Sequence, residues 1–90
     1  MSNTKYYTRL SHIIKKPFLS FDDISELMNR GITTTSRMMN EFIREYEKKN
    51  PDKAKINRRT GVPTKAFLEY YSYDVDSIND MAKLEQEGVL

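Results

Sequence analysis

The sequence predicts a mainly α-helical fold with a small β-hairpin, and three observations carry that expectation. The stretch from Leu19 to Asn50 holds two runs of apolar residues at helical spacing, parted by Arg30-Gly31. The pattern then changes between Lys53 and Thr64, where short apolar pieces flank a basic, glycine-containing turn. Helix-start signals return at Pro63-Thr64 and at Ser77. Ninety residues is one domain's worth of chain, enough for one modest core and with little room beside it for a catalytic cleft.

Residues 5–16 place Tyr6, Leu10, Ile13 and Ile14 on one side of a helix, with Tyr7 beside them and Lys5, Arg9, His12 and Lys16 mostly opposite. Pro17 stops this helix, because proline disfavours helical backbone in the residue before it. A helix or arm packed on the core is the plainer reading of this segment; a basic arm that touches phosphate is the sharper one. Ser20-Phe21-Asp22-Asp23 starts a short second helix, with Ser20 as the cap and the acids facing the positive end of the helix dipole. Ile24, Leu27 and Met28 form its apolar face, and it ends near Asn29. Gly31 suits a turn that needs positive φ, and Ile32 is expected to plug the junction between the two helices.

Thr33 or Thr34 is expected to cap the next helix. In it Met39, Phe42, Ile43 and Tyr46 make the buried stripe, with Thr35 at its edge. Arg37, Glu41, Arg44 and Lys48 fall on the opposite face, and Asn50-Pro51-Asp52 ends the helix after about four turns. Lys55-Ile56-Asn57 and Val62-Pro63 are expected as two short strands around Arg58-Arg59-Thr60-Gly61, with Pro63 at a strand end or edge. Two adjacent arginines at such a tip can reach a phosphate or a narrow groove; a charged run is also commonly just a solvated loop. A further helix follows, with Ala66, Phe67 and Tyr70 or Tyr71 on its apolar face and Leu68 close by. The tyrosines of this segment suit core packing better than stacking on single-stranded bases, since a tyrosine buries its ring while its hydroxyl stays wet. Ser77-Ile78-Asn79-Asp80 reads as a capping-box variant that opens a last, acidic helix ended by Gly88.

Charge is segregated along the chain. Residues 66–90 carry six acids and one base, whereas residues 1–65 carry fourteen bases and seven acids. A basic body with an acidic tail points to a polyanionic partner for the body, against the plainer reading of surface charge that happens to segregate. Several chemistries find no support. There is no cysteine and a single histidine, so no thiolate or histidine-rich metal site is expected. Asp22-Asp23-Glu26 and Asp74-Asp76-Asp80 explain themselves as helix N-terminal charge and do not follow the calcium-loop pattern. No glycine-rich phosphate loop and no recognisable nucleophile-base spacing is present, so an enzyme is not expected. No apolar run approaches the roughly 20 residues that span a bilayer, and the N-terminus lacks a secretory pattern; a reducing cytoplasm is the simple expectation.

The order of elements resembles the small winged helix-turn-helix proteins of the excisionase and MerR-like group. The resemblance lies in Leu19–Met28 (LSFDDISELM), Gly31-Ile32 with the Thr/Ser-rich helix start, Phe42–Glu45 (FIRE) and Gly61–Tyr70 (GVPTKAFLEY). It covers residues 18–71 as a winged domain, leaving 1–17 as a basic amphipathic helix or arm and 72–90 as an acidic C-terminal segment. The resemblance implies that the second helix of the pair enters the major groove of double-stranded DNA while the wing touches backbone or minor groove. It directs Thr33, Thr34, Arg37, Asn40, Glu41 and Arg44 toward DNA, and Arg58 and Arg59 to the wing tip, flanked by Lys55, Asn57 and Lys65. Arg37 or Arg44 can bond guanine bidentately and Asn40 can read adenine, while the threonines and wing arginines suit phosphate. Glu41 either accepts from cytosine or pairs with Arg37 and Arg44 on the helix surface, the second being favoured. The implied role is that of a recombination directionality factor of a mobile element, bending attachment-site DNA and assisting an integrase in excision. Neighbouring copies of the protein and the integrase are the implied protein partners, and no cofactor or small-molecule ligand is implied. A transcriptional regulator of a phage or plasmid is the alternative, and a protein-interaction module using the same fold is the rival of another class.

Overall fold

The computed structural model describes residues 5–88. Among them are five helices and two short strands: α1 (Tyr6–Ile13), β1 (Phe18–Leu19), α2 (Phe21–Met28), α3 (Ile32–Lys49), β2 (Val62–Pro63), α4 (Thr64–Tyr70) and α5 (Val75–Gln86). Leu10 and Ile13 of α1 are buried, as their spacing predicts, and Ile14 is half-buried, but Tyr6, expected on the same side, is exposed. The cations on the other side of that segment are partly spent: Arg9 Nε donates to Glu26 at 2.6 Å, and Lys16 Nζ lies 3.0 Å from Asp23. Such exposed pairs add little stability, yet they turn these two cations toward α2 and away from an outside anion.

Helix α2 begins with the expected cap in full. Ser20 Oγ accepts from the Asp23 N–H at 3.1 Å, and the Asp23 carboxylate accepts from the Ser20 N–H at 3.0 Å. Burial pushes the Asp23 carboxyl up, but the hydrogen bonds from Ser20 and the nearby Lys16 outweigh it and hold the group below its ordinary value. The end of α2 corrects the sequence reading of the turn. Asn29, not Gly31, takes the left-handed conformation, with φ of 52°. Its N–H returns to Glu26 O and that of Arg30 to Ser25 O, so a Schellman motif closes the helix. An asparagine tolerates this region because its short amide adds little crowding. Gly31 sits in ordinary extended backbone, φ −75°, as the residue before α3.

That shifts the start of α3 to Ile32. Thr33 and Thr34 therefore lie inside the first turn and do not cap it; no side chain does. Ile32 does not plug the junction either, being 77% exposed. The junction is fixed instead by hydroxyls. Ser25 Oγ donates to the Arg30 carbonyl at 2.7 Å, and the fully buried Thr35 reaches the same oxygen at 3.4 Å. Helix α3 then runs 18 residues, about 27 Å, and buries Met39, Phe42 and Ile43 of the predicted stripe, with Tyr46 half-buried.

The two-stranded antiparallel sheet differs from the expected hairpin. Val62-Pro63 pairs with Phe18-Leu19, in register Phe18 to Pro63 and Leu19 to Val62. Lys55-Ile56-Asn57 forms no strand. Its backbone is committed elsewhere: the Ile56 N–H donates to Glu47 Oε2 of α3 at 3.0 Å, and Asn57 begins a tight turn. Gly61 has φ of +104° and lies so close to β1 that a Cβ there would fall 2.3 Å from Leu19 O. The pairing continues through the Thr64 N–H, which donates to Pro17 O at 3.1 Å. Leu19 and Val62, both with no exposed surface, centre the core between the helices.

Helix α4 seals the other side of α3. Phe67 has no exposed surface and stands edge-on to Phe42, with centroids 5.3 Å apart. Tyr71 packs inside this cluster and Tyr70 closes its rim, which decides which tyrosine faces inward. Helix α5 begins at Val75, two residues before the expected cap. Asp74 caps it, accepting from the Ser77 N–H at 3.0 Å and from its hydroxyl at 2.7 Å. Gly88, φ 78°, follows its end as expected. The acidic helix does more than cover the surface, for it packs along α1 and supplies that helix with its cap. Buried Glu85 accepts from the N–H groups of Tyr7 at 3.1 Å and Thr8 at 2.8 Å, and from the Thr8 hydroxyl at 3.1 Å. Burial raises the affinity of this carboxyl for its proton, but these donors and Lys5 lower it further, leaving it below its ordinary value. No helix among the described residues is long and apolar enough to cross a membrane.

Candidate nucleic-acid interface

With one stripe of α3 in the core, the opposite side of the helix is open. Ile32, Ser36, Asn40 and Arg44 repeat every fourth residue and form one ridge; Thr33, Arg37 and Glu41 form the next. These seven residues line one shallow groove. Five of the six helix residues singled out in the sequence are therefore brought together. The sixth, Thr34, is half-buried and does not line the groove. Ile32 and Ser36 were missed, although their spacing of eight and four from Asn40 was available to flag them.

The groove holds two arginines and one acid, and neither arginine is neutralised by an ion pair among the described residues. Among the described residues, the carboxylates that form ion pairs are Glu26 and Asp23, both on α2 and remote from this face. Arg37 and Arg44 have no carboxylate partner among the described residues. Glu41, expected to pair with them, turns toward α4. Its Oε2 lies 3.1 Å from the Tyr71 hydroxyl and 3.4 Å from that of Tyr70. The Tyr71 hydroxyl also donates to Met38 O at 2.9 Å. Burial, and then the adjoining Glu41 carboxylate, pushes the Tyr71 hydroxyl well above its ordinary value, so it stays a proton donor. Glu41 thus acts as a strut from α3 to the tyrosines at the end of α4, while still lining the groove beside the arginines.

A second groove continues from the first through Arg44. It is lined by Arg44, Glu47, Lys48, Asn50, Pro51, Lys53 and Lys55. Four cations meet one acid there, and that acid is engaged by the Ile56 N–H. Lys53 also lies 5.9 Å from the centroid of the Tyr46 ring, which holds the chain against α3. Lys48 and Lys53 extend the predicted set; their signal in the sequence was the basic run either side of Asn50-Pro51.

Beyond Lys55 the loop turns on Asn57. Its Oδ1 accepts from the Arg59 N–H at 2.9 Å, and its carbonyl oxygen accepts from Thr60 and Gly61. The amide oxygen of Asn57 is thereby used to shape the loop tip, which exposes Arg58 and Arg59. Lys65 is not part of this face. It lines a separate groove with Ile14, Lys16, Leu68 and Tyr73.

An exposed helix with an arginine–asparagine ridge, continued by a lysine-lined groove and an arginine-tipped loop, can do two things chemically. It can neutralise a run of phosphates, and it can offer planar donor–acceptor groups to base edges. Comparison with known proteins adds no constraint: no family model matches the chain, and no curated protein or solved structure matches it.

Proposed function

We propose that this chain is a winged helix-turn-helix protein that binds double-stranded DNA in a sequence-specific manner. In this reading α2 and α3 are the helix-turn-helix, α3 is the helix that enters the major groove, and residues 50–61 are the wing. One observation carries the reading: Arg37, Asn40, Arg44, Lys48, Lys53 and Lys55 line two adjoining grooves, with Arg44 common to both. The lengths agree, since the major groove of B-DNA is about 12 Å wide and admits one helix. Within the face, Arg37, Asn40 and Arg44 are the base readers, and Lys48, Lys53, Lys55, Arg58 and Arg59 hold phosphates.

On the resemblance of Leu19–Met28 and Gly61–Tyr70 to the excisionase group, the biological role we propose is that of an accessory factor. It would bind and bend recombination-site DNA and help an integrase to excise a mobile element. Selection of bound duplexes from a random library tests the binding, and an excision assay with the cognate integrase tests the role. Enrichment of a defined site with stimulated excision is the expected outcome. Enrichment without any effect on excision would assign the protein to transcriptional regulation, and the absence of duplex binding at low salt would refute the reading.

A further inference from the structure

The largest apolar anomaly of the surface is Ile32. It is 77% exposed, whereas Phe18, Tyr6 and Tyr70, the other exposed large apolar side chains among the described residues, are 43%, 40% and 37% exposed. Its neighbours make the placement informative. Ile32 does not join the core cluster or pack against it. It stands at the first position of α3 and lines the same groove as Thr33, Ser36, Arg37 and Asn40, whose lining is otherwise polar. Among the described residues, no core packing compensates for leaving this branched side chain in water. Gly31 before it leaves the space beside it open, with nothing within 4 Å of where a Cβ would stand.

We infer that Ile32 is a specificity-determining residue that seats against the 5-methyl group of a thymine in the major groove. The inference rests on the DNA-binding reading above and names what the start of α3 would recognise. The chemistry follows from the groove. The thymine methyl is the apolar feature that the major-groove edges of the bases present, and an apolar side chain is its natural contact. The first residues of a recognition helix are the ones that meet base edges in helix-turn-helix docking. Ile32 and Asn40 share a ridge and are separated by eight residues, a rise of about 12 Å. At roughly 3.4 Å per base pair, the thymine lies within about four base pairs of the base that Asn40 touches.

The test uses the full chain and a duplex obtained by selection from a random library. Each thymine of that site is replaced in turn by deoxyuridine, which keeps the base pair and removes only the methyl group. Burying one methyl corresponds to about fourfold in affinity. The wild-type protein is expected to lose about fourfold at one thymine, and Ile32→Ala, with its melting curve unchanged, is expected to bind thymine and deoxyuridine duplexes equally at that position. Indifference of the wild-type protein to every deoxyuridine would overturn the inference while leaving DNA binding intact. So would an Ile32→Ala variant that keeps the full deoxyuridine penalty. If selection enriches no duplex at all, the DNA reading falls and this inference with it, an outcome distinct from both.

Discussion

Gly61 is held against the backbone of Leu19, and replacing it with alanine measures how firmly the loop is tied to the core. A Cβ at this position would stand 2.3 Å from Leu19 O and 2.8 Å from Leu19 C. These are atoms of β1, and they cannot retreat without breaking the pairing of Leu19 with Val62. The backbone adds a second cost. At φ of +104° a side chain is strained wherever it points, typically by about 1–3 kcal/mol. The overlap adds to this, so Gly61→Ala is expected to cost about 3 kcal/mol or more, a large share of the roughly 5–15 kcal/mol of a typical domain. For a domain of this size that lowers Tm by about 12–24 °C. Thermal and urea unfolding followed by far-ultraviolet circular dichroism would read it. Gly31→Ser is the matched control. Gly31 has ordinary φ and open space, and serine caps a helix at least as well as glycine, so stability should stay level or rise by a few tenths of a kcal/mol. A loss below about 1 kcal/mol for Gly61→Ala would refute the reasoning, because the loop could not then be held against Leu19 as described.

Three further substitutions or conditions probe the scaffold. Phe67→Ala empties the space between Phe42 and Tyr71 and is expected to cost about 3–5 kcal/mol in urea unfolding. Ser20→Ala removes half of the capping box of α2 and should cost about 1 kcal/mol by the same measurement. Acid should weaken the fold in a defined direction. Asp23, Asp74 and Glu85 all have folded-state affinities for protons below their ordinary values. Their contribution is complete above the ordinary carboxylate range and is lost as pH falls through the depressed folded values. Melting curves from pH 6 down to pH 2 should therefore show Tm falling below about pH 4, with a shallower fall in Glu85→Gln.

The legible parts of the chain were those with local signals. The buried stripes of α2 and α3 and the Leu10–Ile13 part of that of α1 follow from spacing alone, and Ser20 with Asp23 announced its own cap. What was not legible depended on distance or on competition between neighbours. A strand of two residues has no period, so Phe18-Leu19 gave no sign that it, and not Lys55–Asn57, would pair with Val62-Pro63. Asn29 and Gly31 could both supply a left-handed residue, and the Schellman bonds from Asn29 and Arg30 settled the matter two residues earlier than glycine suggested. Glu85 caps a helix 77 residues away, which no local pattern encodes. Ile32 looked like core because it is apolar, but as the first residue of α3 it stands beyond the buried part of that helix, which begins at Thr35. In the candidate site the arginine face of α3 was readable from spacing. The turning of Glu41 toward Tyr71 was not, since it depends on α4 packing beside it.

The measurement closest to the central claim compares two variants for binding to a selected duplex by fluorescence anisotropy at moderate salt. One is Arg37→Ala with Arg44→Ala, in the groove of α3; the other is Lys83→Ala, exposed on α5 and outside both grooves. Each arginine that bonds a base is worth about 1–3 kcal/mol, so the double variant should bind at least about thirtyfold more weakly. Lys83→Ala should bind like the wild type. Equal affinity of the arginine variant and the wild type, with both folded, would contradict the assignment of this face to DNA.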